Sequence, residues 1–380
     1  MDRIRRFLRN GVEWGSLSRM ALRHGVLAPV YAVLKTAGSP LVPSAVLSTL
    51  EDSFRANVCR NLFLLKELLK LLDLLERNGI PALSLKGPVL AVSLYGDVGL
   101  RQFGDLDILV PKKGVWKTKE FLISHGYQPW LRLKGARMAA ALQSQHHHQL
   151  IHPETGVFVE LHWDLLPKFL HVSFDPASLW NRAQRMTLEG RRVLSLSDED
   201  LMLFLCAHGA KHLWERLGWV CDVAQLVRLR PQIDWVRLIR SARRAGAQRM
   251  LFLGLFLAND LIGVELPPEI SQKVIHDGQV KRLAVDMKKR FFKGAAGPSG
   301  FLELVPFYVR MRERWRDKVR DSFCHTLTLL TPTEEEWKFL SLPDFLFPLY
   351  YLLRPIRLAV KYGGRLLRIF GTRRGAEAGI

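Results

Sequence analysis

The stretch LRQFGDLDILV, residues 100–110, places two carboxylates in the first half of a run that otherwise has the composition of a buried strand. Alternate residues of a strand point to the same face, so Asp105 and Asp107 share one face. Adjacent carboxylates repel each other and raise each other's pKa unless a positive charge lies between them. A divalent cation is the usual solution, and Mg²⁺ prefers one or two carboxylates together with substrate phosphates. The stretch therefore predicts a strand with a metal site, although a solvated edge strand is the simpler explanation of an isolated pair.

A third carboxylate follows in the stretch VFVELHWDL, residues 157–165. Its alternation places Glu160 and His162 on one face of a strand and apolar residues on the other. If this strand lies beside the first one, Glu160 meets Asp105 and Asp107. Two metal ions about 4 Å apart could then activate an attacking oxygen and stabilise a leaving pyrophosphate.

Composition and charge narrow the class of protein. The chain has 380 residues, of which 48% are hydrophobic and 24% charged, as expected of a globular protein with room for two domains. The 56 Lys and Arg residues exceed the 36 Asp and Glu residues, which gives a formal charge of +20. Such an excess attracts nucleic acid, phosphates or an anionic membrane without selecting among them.

Cysteine usage and hydropathy indicate a cytoplasmic protein. The four cysteines are far apart and form no CxxC pair, which argues against a disulfide framework and against a cysteine zinc site. The N-terminus lacks an apolar core of signal-peptide length, and no run approaches 18 uncharged apolar residues. We therefore expect neither a signal peptide nor a transmembrane span.

The predicted elements follow the order helices, a small α/β core, a helical domain and a basic tail. Apolar periodicity predicts helices at 61–80, 88–96 and 114–127, and strands at 81–87, 103–110 and on both sides of a turn at 153–156. From about residue 197 the pattern is helical. The predicted segments are a helical segment at 1–60, an α/β core at 61–195, a helical domain at 196–292 and a basic helical region at 293–380.

Three stretches together resemble a known family. They are LKGPVLAVSLYGDVGLRQFGDLDILV (85–110), VELHW (159–163) and DEDLMLFLCAHGAKHLWERLGWVCDVAQL (198–226), with a weaker likeness in LPDFLFPLYYLLRPIRL (342–358). The chain resembles an uncharacterised bacterial nucleotidyltransferase family of the DNA polymerase beta-like superfamily over roughly residues 60–230. The aspartate pair is common in isolation, but its combination with LKG before it and ELHW after it is fairly specific.

The resemblance implies an α+β fold with a small mixed sheet flanked by helices. It also implies Mg²⁺, or Mn²⁺, and transfer of a nucleoside monophosphate from an NTP to an acceptor hydroxyl with release of pyrophosphate. It implies that Asp105 and Asp107 bind both metal ions and that Glu160 completes the metal site and favours deprotonation of the acceptor. Gly87 would occupy the turn where the superfamily usually has Gly-Ser. Here Lys86 precedes that glycine and a proline follows it, so the lysine would replace the serine contact to phosphate as a point charge.

Arg101 and Asp222 are two further candidates for contact with the nucleotide. Arg101 either holds a phosphate oxygen or pairs with Asp97 or Asp105. Asp222 interrupts an apolar helix face, where it either bonds to a base edge or ribose or pairs with Lys211. The sequence leaves these alternatives open.

A second helix face offers Lys211 and His212, which lie three and four residues after His208 and therefore on the same side. We expect Lys211 and His212 to face the cleft, toward phosphate or base. The two histidines have the spacing of a zinc helix, but the glutamate of that motif is missing. Trp214 and Trp219 belong either to the core or to a base-stacking surface.

Histidines also surround the predicted carboxylate site. His162 shares a face with Glu160, and His148 belongs to a run of three histidines at the start of a predicted strand. We predict that His148 and His162 contact the site without binding metal. Strand alternation splits the run between two faces, so a dedicated metal site in it is the less favoured interpretation.

The C-terminal region carries half of the excess charge, because residues 281–380 contain 20 Lys and Arg against 10 Asp and Glu. A basic helix face predicted there comprises Arg354, Arg357, Lys361, Arg365 and Arg368. Such a helix within 345–370 would bind an anionic membrane or nucleic acid, or pack on the body of the protein. Apolar neighbours favour packing or membrane contact, which would place the protein at the inner membrane surface.

The sequence favours an Mg²⁺-dependent nucleotidyltransferase whose acceptor is a small molecule, a lipid or glycan intermediate, a protein or RNA. The alternative is a catalytically inactive nucleotide-sensing or polyanion-binding protein on the same scaffold, with chemistry lost at the LKGP turn.

Overall fold

The fold was analysed in a computed structural model, which describes residues 2–37, 41–130, 145–292, 301–313, 318, 339–340, 342–358 and 360. The chain divides into two compact units. The first unit contains residues 1–131, 146–166 and 172–294, and the second contains 132–145, 167–171 and 295–380. The four-part division drawn from the sequence stays a prediction.

The first unit begins with four helices. They are α1 (Asp2–Arg9), α2 (Trp14–Arg23), α3 (Leu27–Ala37) and α4 (Ser44–Arg77). The first half of α4 packs against α1–α3 through a small core that includes Leu8, Tyr31 and Leu50. The second half is the predicted leucine-rich helix, which ends just before Asn78 and Gly79. The predicted boundary at residue 60 therefore falls inside α4.

A five-stranded mixed sheet follows, as the sequence predicts. Its strands are β1 (Leu83–Ser84), β2 (Leu106–Leu109), β3 (Gln128–Pro129), β4 (His147–His152) and β5 (Val157–His162). The strand order is β1-β2-β5-β4-β3, in which β2 and β5 are parallel and the other three pairings are antiparallel. Helices α5 (Pro88–Tyr95) and α6 (Val115–Ser124) flank β2 along the chain. The α+β fold class is therefore confirmed.

The two faces of β2 differ in character because its side chains alternate. Leu106 and Ile108 belong to the main core, together with Val159 and Leu161 of β5 and the leucines of the second half of α4. This burial fixes the register, since a slip of one residue would place the apolar side chains on the wrong face. The opposite face carries Asp107, Glu160 and His162, with Leu109 and Phe158 as its apolar members.

The rest of the first unit is a short hairpin followed by helices. The elements are α7 (Pro176–Asn181), β6 (Gln184–Leu188), β7 (Arg191–Ser195), α8 (Asp198–Lys211), α9 (Leu217–Leu229), α10 (Trp235–Ala245), α11 (Gln248–Ile262), α12 (Pro268–His276) and α13 (Gly278–Phe292). Ser197 caps α8 by accepting a hydrogen bond from the backbone N–H of Asp200, as its sequence predicts. Trp214 is fully buried and belongs to the core of these helices. A Cβ at Gly209 would lie 2.6 Å from its ring, so only glycine fits there.

The second unit contains α14 (Phe301–Met311), a short 3₁₀ turn (Asp344–Leu346) and a helix over residues 349–358. Tyr350 fixes the start of this last helix, because its hydroxyl donates to the carbonyl of Leu340 and accepts from the N–H of Leu342. Of the predicted basic face, Lys361, Arg365 and Arg368 lie outside the described residues. Within the described part of the chain, no helix has the length and apolarity to cross a membrane.

Candidate active site

Three carboxylates meet on the polar face of the sheet. Asp107 of β2 and Glu160 of β5 are direct partners across the parallel pairing. Asp105 immediately precedes β2, and all three side chains line one cleft of about 380 Å³. A volume of this size is in the range of small-molecule sites. Apolar packing on the other face is what turns these carboxylates toward the cleft.

Two cationic groups lie among the carboxylates. Lys86 Nζ is 2.9 Å from Asp107 Oδ1. His162 Nε2 is 3.2 Å from the same oxygen and 3.2 Å from Glu160 Oε2, so it bridges the two carboxylates. Asp107 Oδ2, by contrast, is buried and has no hydrogen-bond partner among the described residues. Oδ1 of Asp107 thus contacts both Lys86 and His162, while Oδ2 could accept a bond from a ligand.

The pKa shifts follow from this arrangement. Burial alone would raise the pKa of Asp107, but Lys86 and His162 outweigh it and lower that pKa. Burial alone would likewise lower the pKa values of Lys86 and His162, yet the carboxylates raise both. Asp105 differs, because burial and the charge of Asp107 both raise its pKa. The cluster therefore favours charged Asp107 and Glu160 next to Lys86 and next to a histidine whose pKa they raise.

The LKGP turn brings Lys86 to this cluster. β1 pairs with β2, and the N–H of Leu85 donates to the carbonyl of Asp107. Gly87 has a φ of +62°, and a Cβ there would lie 3.3 Å from the carbonyl oxygen of Asp105. A left-handed backbone in such close contact favours glycine. The turn therefore depends on its glycine, whichever residue follows.

Helices α8 and α9 supply the opposite wall of the cleft. Lys211 and His212 line it together with Trp219, Arg216 and His208. Burial and the charge of Lys86 lower the pKa of Lys211, which is expected of two lysines in one partly dry site. The His212 ring lies 5.2 Å from Trp219, and Arg216 lies 5.9 Å from that indole. The two tryptophans therefore have different places, since Trp214 is in the core and Trp219 lines the cleft.

Arg101 and Asp222 pair with each other in the structure, which is a pairing that was not predicted from the sequence. Arg101 donates from Nε and Nη2 to the carboxylate of Asp222, with shortest distances of 2.9 Å. The hydroxyl of Tyr95 donates to the same carboxylate at 2.8 Å. Arg101 lines the edge of the cleft, whereas Asp222 does not line it. Asp222 thus pairs with Arg101 rather than with Lys211. Its contact with a nucleotide stays a prediction.

The histidine run also differs from its predicted role. His148 packs between Trp116 and Trp163, with ring centroids 4.9 and 4.8 Å away, and it does not line the cleft. Register explains this, because β4 places His147 opposite His162 of β5, so the next residue points to the other face. His147 and His146 are the members of the run that lie near the carboxylates.

Two asparagines of α4, which were not predicted from the sequence, support the loop of Arg101. Asn61 donates to the carbonyls of Val98 and Arg101, and Asn57 donates to that of Gly99. These bonds hold the loop that carries Arg101. The sequence contains a hint of the role of Asn61. This polar residue lies three positions before Leu64, on the helix face that is otherwise apolar.

Sequence comparison assigns the family. Residues 10–263 match the family described as "Uncharacterised nucleotidyltransferase". The chain belongs to this nucleotidyltransferase family. The match includes the LKGP turn, the three carboxylates and the helices α8 and α9. No curated protein matches the chain.

Solved structures with similarity to this family member include two of the antibiotic-resistance factor ANT(2'')-Ia. Its solution structure has 12% identity and a TM-score of 0.30, covering 61% of this chain and 94% of the other. Its crystal structure with adenylyl-2''-tobramycin has 14% identity and a TM-score of 0.29, covering 60% and 99%. A nucleotidyltransferase-like protein from Paracoccidioides brasiliensis has 17% identity and a TM-score of 0.32, covering 57% and 91%.

The carboxylate cluster fits a divalent cation. One ligand atom from each of Asp107, Glu160 and His162 lies within 4.8 Å of the others. Asp107 Oδ2, which has no partner among the described residues, is an anionic oxygen of the type that Mg²⁺ prefers. Asp105 lines the same cleft and lies outside this tightest group.

Proposed function

We propose that this family member is an Mg²⁺-dependent nucleotidyltransferase that moves a nucleoside monophosphate from an NTP to an acceptor hydroxyl. The proposal is carried by one observation, the convergence of Asp105, Asp107 and Glu160 in a cleft that also contains Lys86 and Lys211. Carboxylates can bind a metal ion and lysines can bind phosphate oxygens. A cleft with both groups therefore suits a metal-bound triphosphate better than a cleft with only one of them.

In this proposal Asp105, Asp107 and Glu160 hold Mg²⁺, or Mn²⁺. The ion supplies charge neutralisation at the donor phosphates when bound. Lys86 and Lys211 add positive charge around the triphosphate. His162 holds Asp107 and Glu160 in place by bonding to both.

Group transfer then needs an acceptor oxygen aligned with the α-phosphorus. The acceptor oxygen forms a bond to that phosphorus, the bond to the bridging oxygen of the β-phosphate breaks, and pyrophosphate leaves. Glu160 orients the acceptor hydroxyl and favours loss of its proton. His212 lies on the opposite wall, where it and Arg101 contact the nucleotide. The acceptor is a small molecule, a lipid or glycan intermediate, a protein or RNA.

A label-transfer experiment tests this function. The protein is incubated with Mg²⁺, each α-labelled NTP and fractions of a cell lysate, and the transfer of label is followed. Glu160→Gln is expected to abolish transfer. Glu154→Gln is the matched control, because Glu154 is an exposed carboxylate in the same hairpin.

The outcomes separate the two functional classes. Label transfer that requires Glu160 supports the enzyme. NTP binding without transfer in any fraction supports the inactive, nucleotide-sensing scaffold, which is the function favoured if the ion pair of Lys86 with Asp107 persists when nucleotide binds. Absence of both binding and transfer would contradict the proposal.

Peripheral membrane contact through residues 345–370 is a second, independent proposal. Leu352, Ile356 and Val360 are 66%, 62% and 80% exposed, and their spacing places them on one helix face. Arg354 and Arg357 lie between them in sequence, which is typical of a cationic amphipathic helix. In a flotation experiment, the full chain should float with anionic liposomes, and a chain that ends at residue 344 should not. Equal flotation of both would contradict this role.

A further inference from the structure

Three histidines lie together at the edge of the carboxylate cluster. His147 of β4 is the register partner of His162 of β5, and His146 directly precedes β4. The backbone carbonyl of His146 accepts from the N–H of Trp163 at 3.1 Å, which fixes the residue against β5. The ring centroids are 4.5 Å apart for 146 and 147, 4.9 Å for 147 and 162, and 5.4 Å for 146 and 162.

Their nitrogen atoms converge in a buried place. One nitrogen from each of the three rings lies within 4.8 Å of the others. His146 and His162 are 5% and 3% exposed. His162 Nδ1 is buried and has no hydrogen-bond partner among the described residues. His147 Nδ1 and His146 Nε2 lie 3.3 Å apart, so the nitrogens of these two rings face each other.

The geometry points to a second cation site, in which His146, His147 and His162 bind a transition-metal ion of the zinc type. Imidazole nitrogen is the ligand that suits zinc, cobalt, nickel and copper, whereas Mg²⁺ prefers oxygen. Three imidazoles with one further ligand give the four-coordinate geometry usual for zinc. Glu160 Oε1 lies 3.6 Å from His147 Nε2 and could supply that fourth ligand, although it also accepts from Gln149 Nε2 at 3.3 Å.

The site is chemically distinct from the carboxylate site but shares side chains with it. His162 belongs to both groups, Glu160 belongs to the carboxylate group, and His146 and His147 belong only to the histidine group. Glu160 would be shared as well if it is the fourth ligand. Occupation of the histidine site would therefore engage at least one residue of the proposed catalytic cluster. The existence of the site does not depend on nucleotidyl transfer, and it is tested without nucleotide.

Cobalt binding provides the test. The full chain, prepared without a polyhistidine tag and stripped with a chelator, is titrated with Co²⁺ alone and followed by visible absorption. We expect an intense band typical of four-coordinate Co²⁺, saturating at one ion per chain. Zn²⁺ should abolish the band, and an excess of Mg²⁺ should leave it. A band that Mg²⁺ removes would place the ion on the carboxylates and overturn the inference.

Variants identify the ligands. His147→Ala and His146→Ala, tested separately, should each weaken Co²⁺ binding by at least about tenfold. Losing a residue that only hydrogen-bonds to a metal ligand lowers affinity by about that much, and losing a ligand itself should lower it at least as far. His148→Ala is the matched control, since its ring lies on the other face of the same strand. Asp105→Asn is a second control that should leave the band unchanged. Circular dichroism checks that each variant is folded, and His147→Gln replaces any alanine variant that is not. Equal weakening in His148→Ala, or no band in the wild-type chain, would contradict the site.

Discussion

The two buried ion pairs of the first unit differ in what their aspartates leave unsatisfied. Both oxygens of Asp222 accept from Arg101, and Tyr95 adds a third donor. Asp107 instead accepts from Lys86 and His162 on one oxygen, while its other oxygen has no partner among the described residues. A buried polar group without a partner is costly, so it persists where a ligand will satisfy it. The carboxylate of Asp222, in the closed pair, is therefore satisfied within the protein, whereas Asp107, in the open pair, keeps one oxygen that a ligand could satisfy.

The largest effect is expected from breaking the closed pair. Asp222→Ala leaves the guanidinium of Arg101 buried without its carboxylate and should lower the free energy of unfolding by about 3–5 kcal/mol. Urea unfolding at equilibrium measures this. The control is Glu51→Ala, which breaks an exposed ion pair with Arg55 and should cost about 0.5 kcal/mol or less. Similar losses for the two variants would contradict the structural role of Asp222.

Breaking the open pair should affect function rather than stability. Asp107→Asn is expected to reduce nucleotidyl transfer by about 10²–10³-fold or more, which is the loss typical of removing one preorganised charge-stabilising group. Its unfolding free energy should change by only about 1 kcal/mol, because the asparagine amide oxygen can still accept from Lys86, and the carboxylates of Asp105 and Glu160 remain near Lys86 and His162. Label transfer and urea unfolding of the same preparation check both parts. A variant that loses stability as Asp222→Ala does would remove the distinction between the pairs.

A smaller change sharpens the comparison at Asp222. Tyr95→Phe removes the one hydroxyl that bonds to this carboxylate and should cost about 1.5–3 kcal/mol, as hydrogen bonds to charged groups do. Thermal and urea unfolding measure the loss. The activity of the variant should stay close to that of the wild type, since Tyr95 does not line the cleft.

The smallest effect is expected when the whole closed network is replaced. A chain with Tyr95→Phe, Arg101→Met and Asp222→Leu together should be within about 1 kcal/mol of the wild-type stability, because apolar residues of similar size often replace a buried ion pair without loss. Transfer activity should nevertheless fall if Arg101 contacts the nucleotide. A triple variant as unstable as Asp222→Ala would show that the network stabilises beyond its pairwise charges.

Local patterns predict the carboxylate face but not its partners. Alternation along β2 and β5 is enough to place Asp107 and Glu160 on polar faces. The partner of Arg101 could not be predicted, because Asp222 is 121 residues away and no local pattern records which helix packs against the loop. The sequence pointed to His148, whereas the structure places His147 next to Glu160, because alternation divides the run without saying which half faces the carboxylates. Only the register with β5 decides that.

The long helix α4 has a consequence for the cleft. With 34 residues it is about 50 Å long, and it joins the N-terminal core to the core beneath the sheet. Asn57 and Asn61, which hold the Arg101 loop, lie between those two cores. A shortened chain that starts at residue 61 would begin in mid-helix and lose one of these anchors. The N-terminal half of α4, through Asn57, thus supports the loop of a cleft that none of the described residues before Lys86 lines.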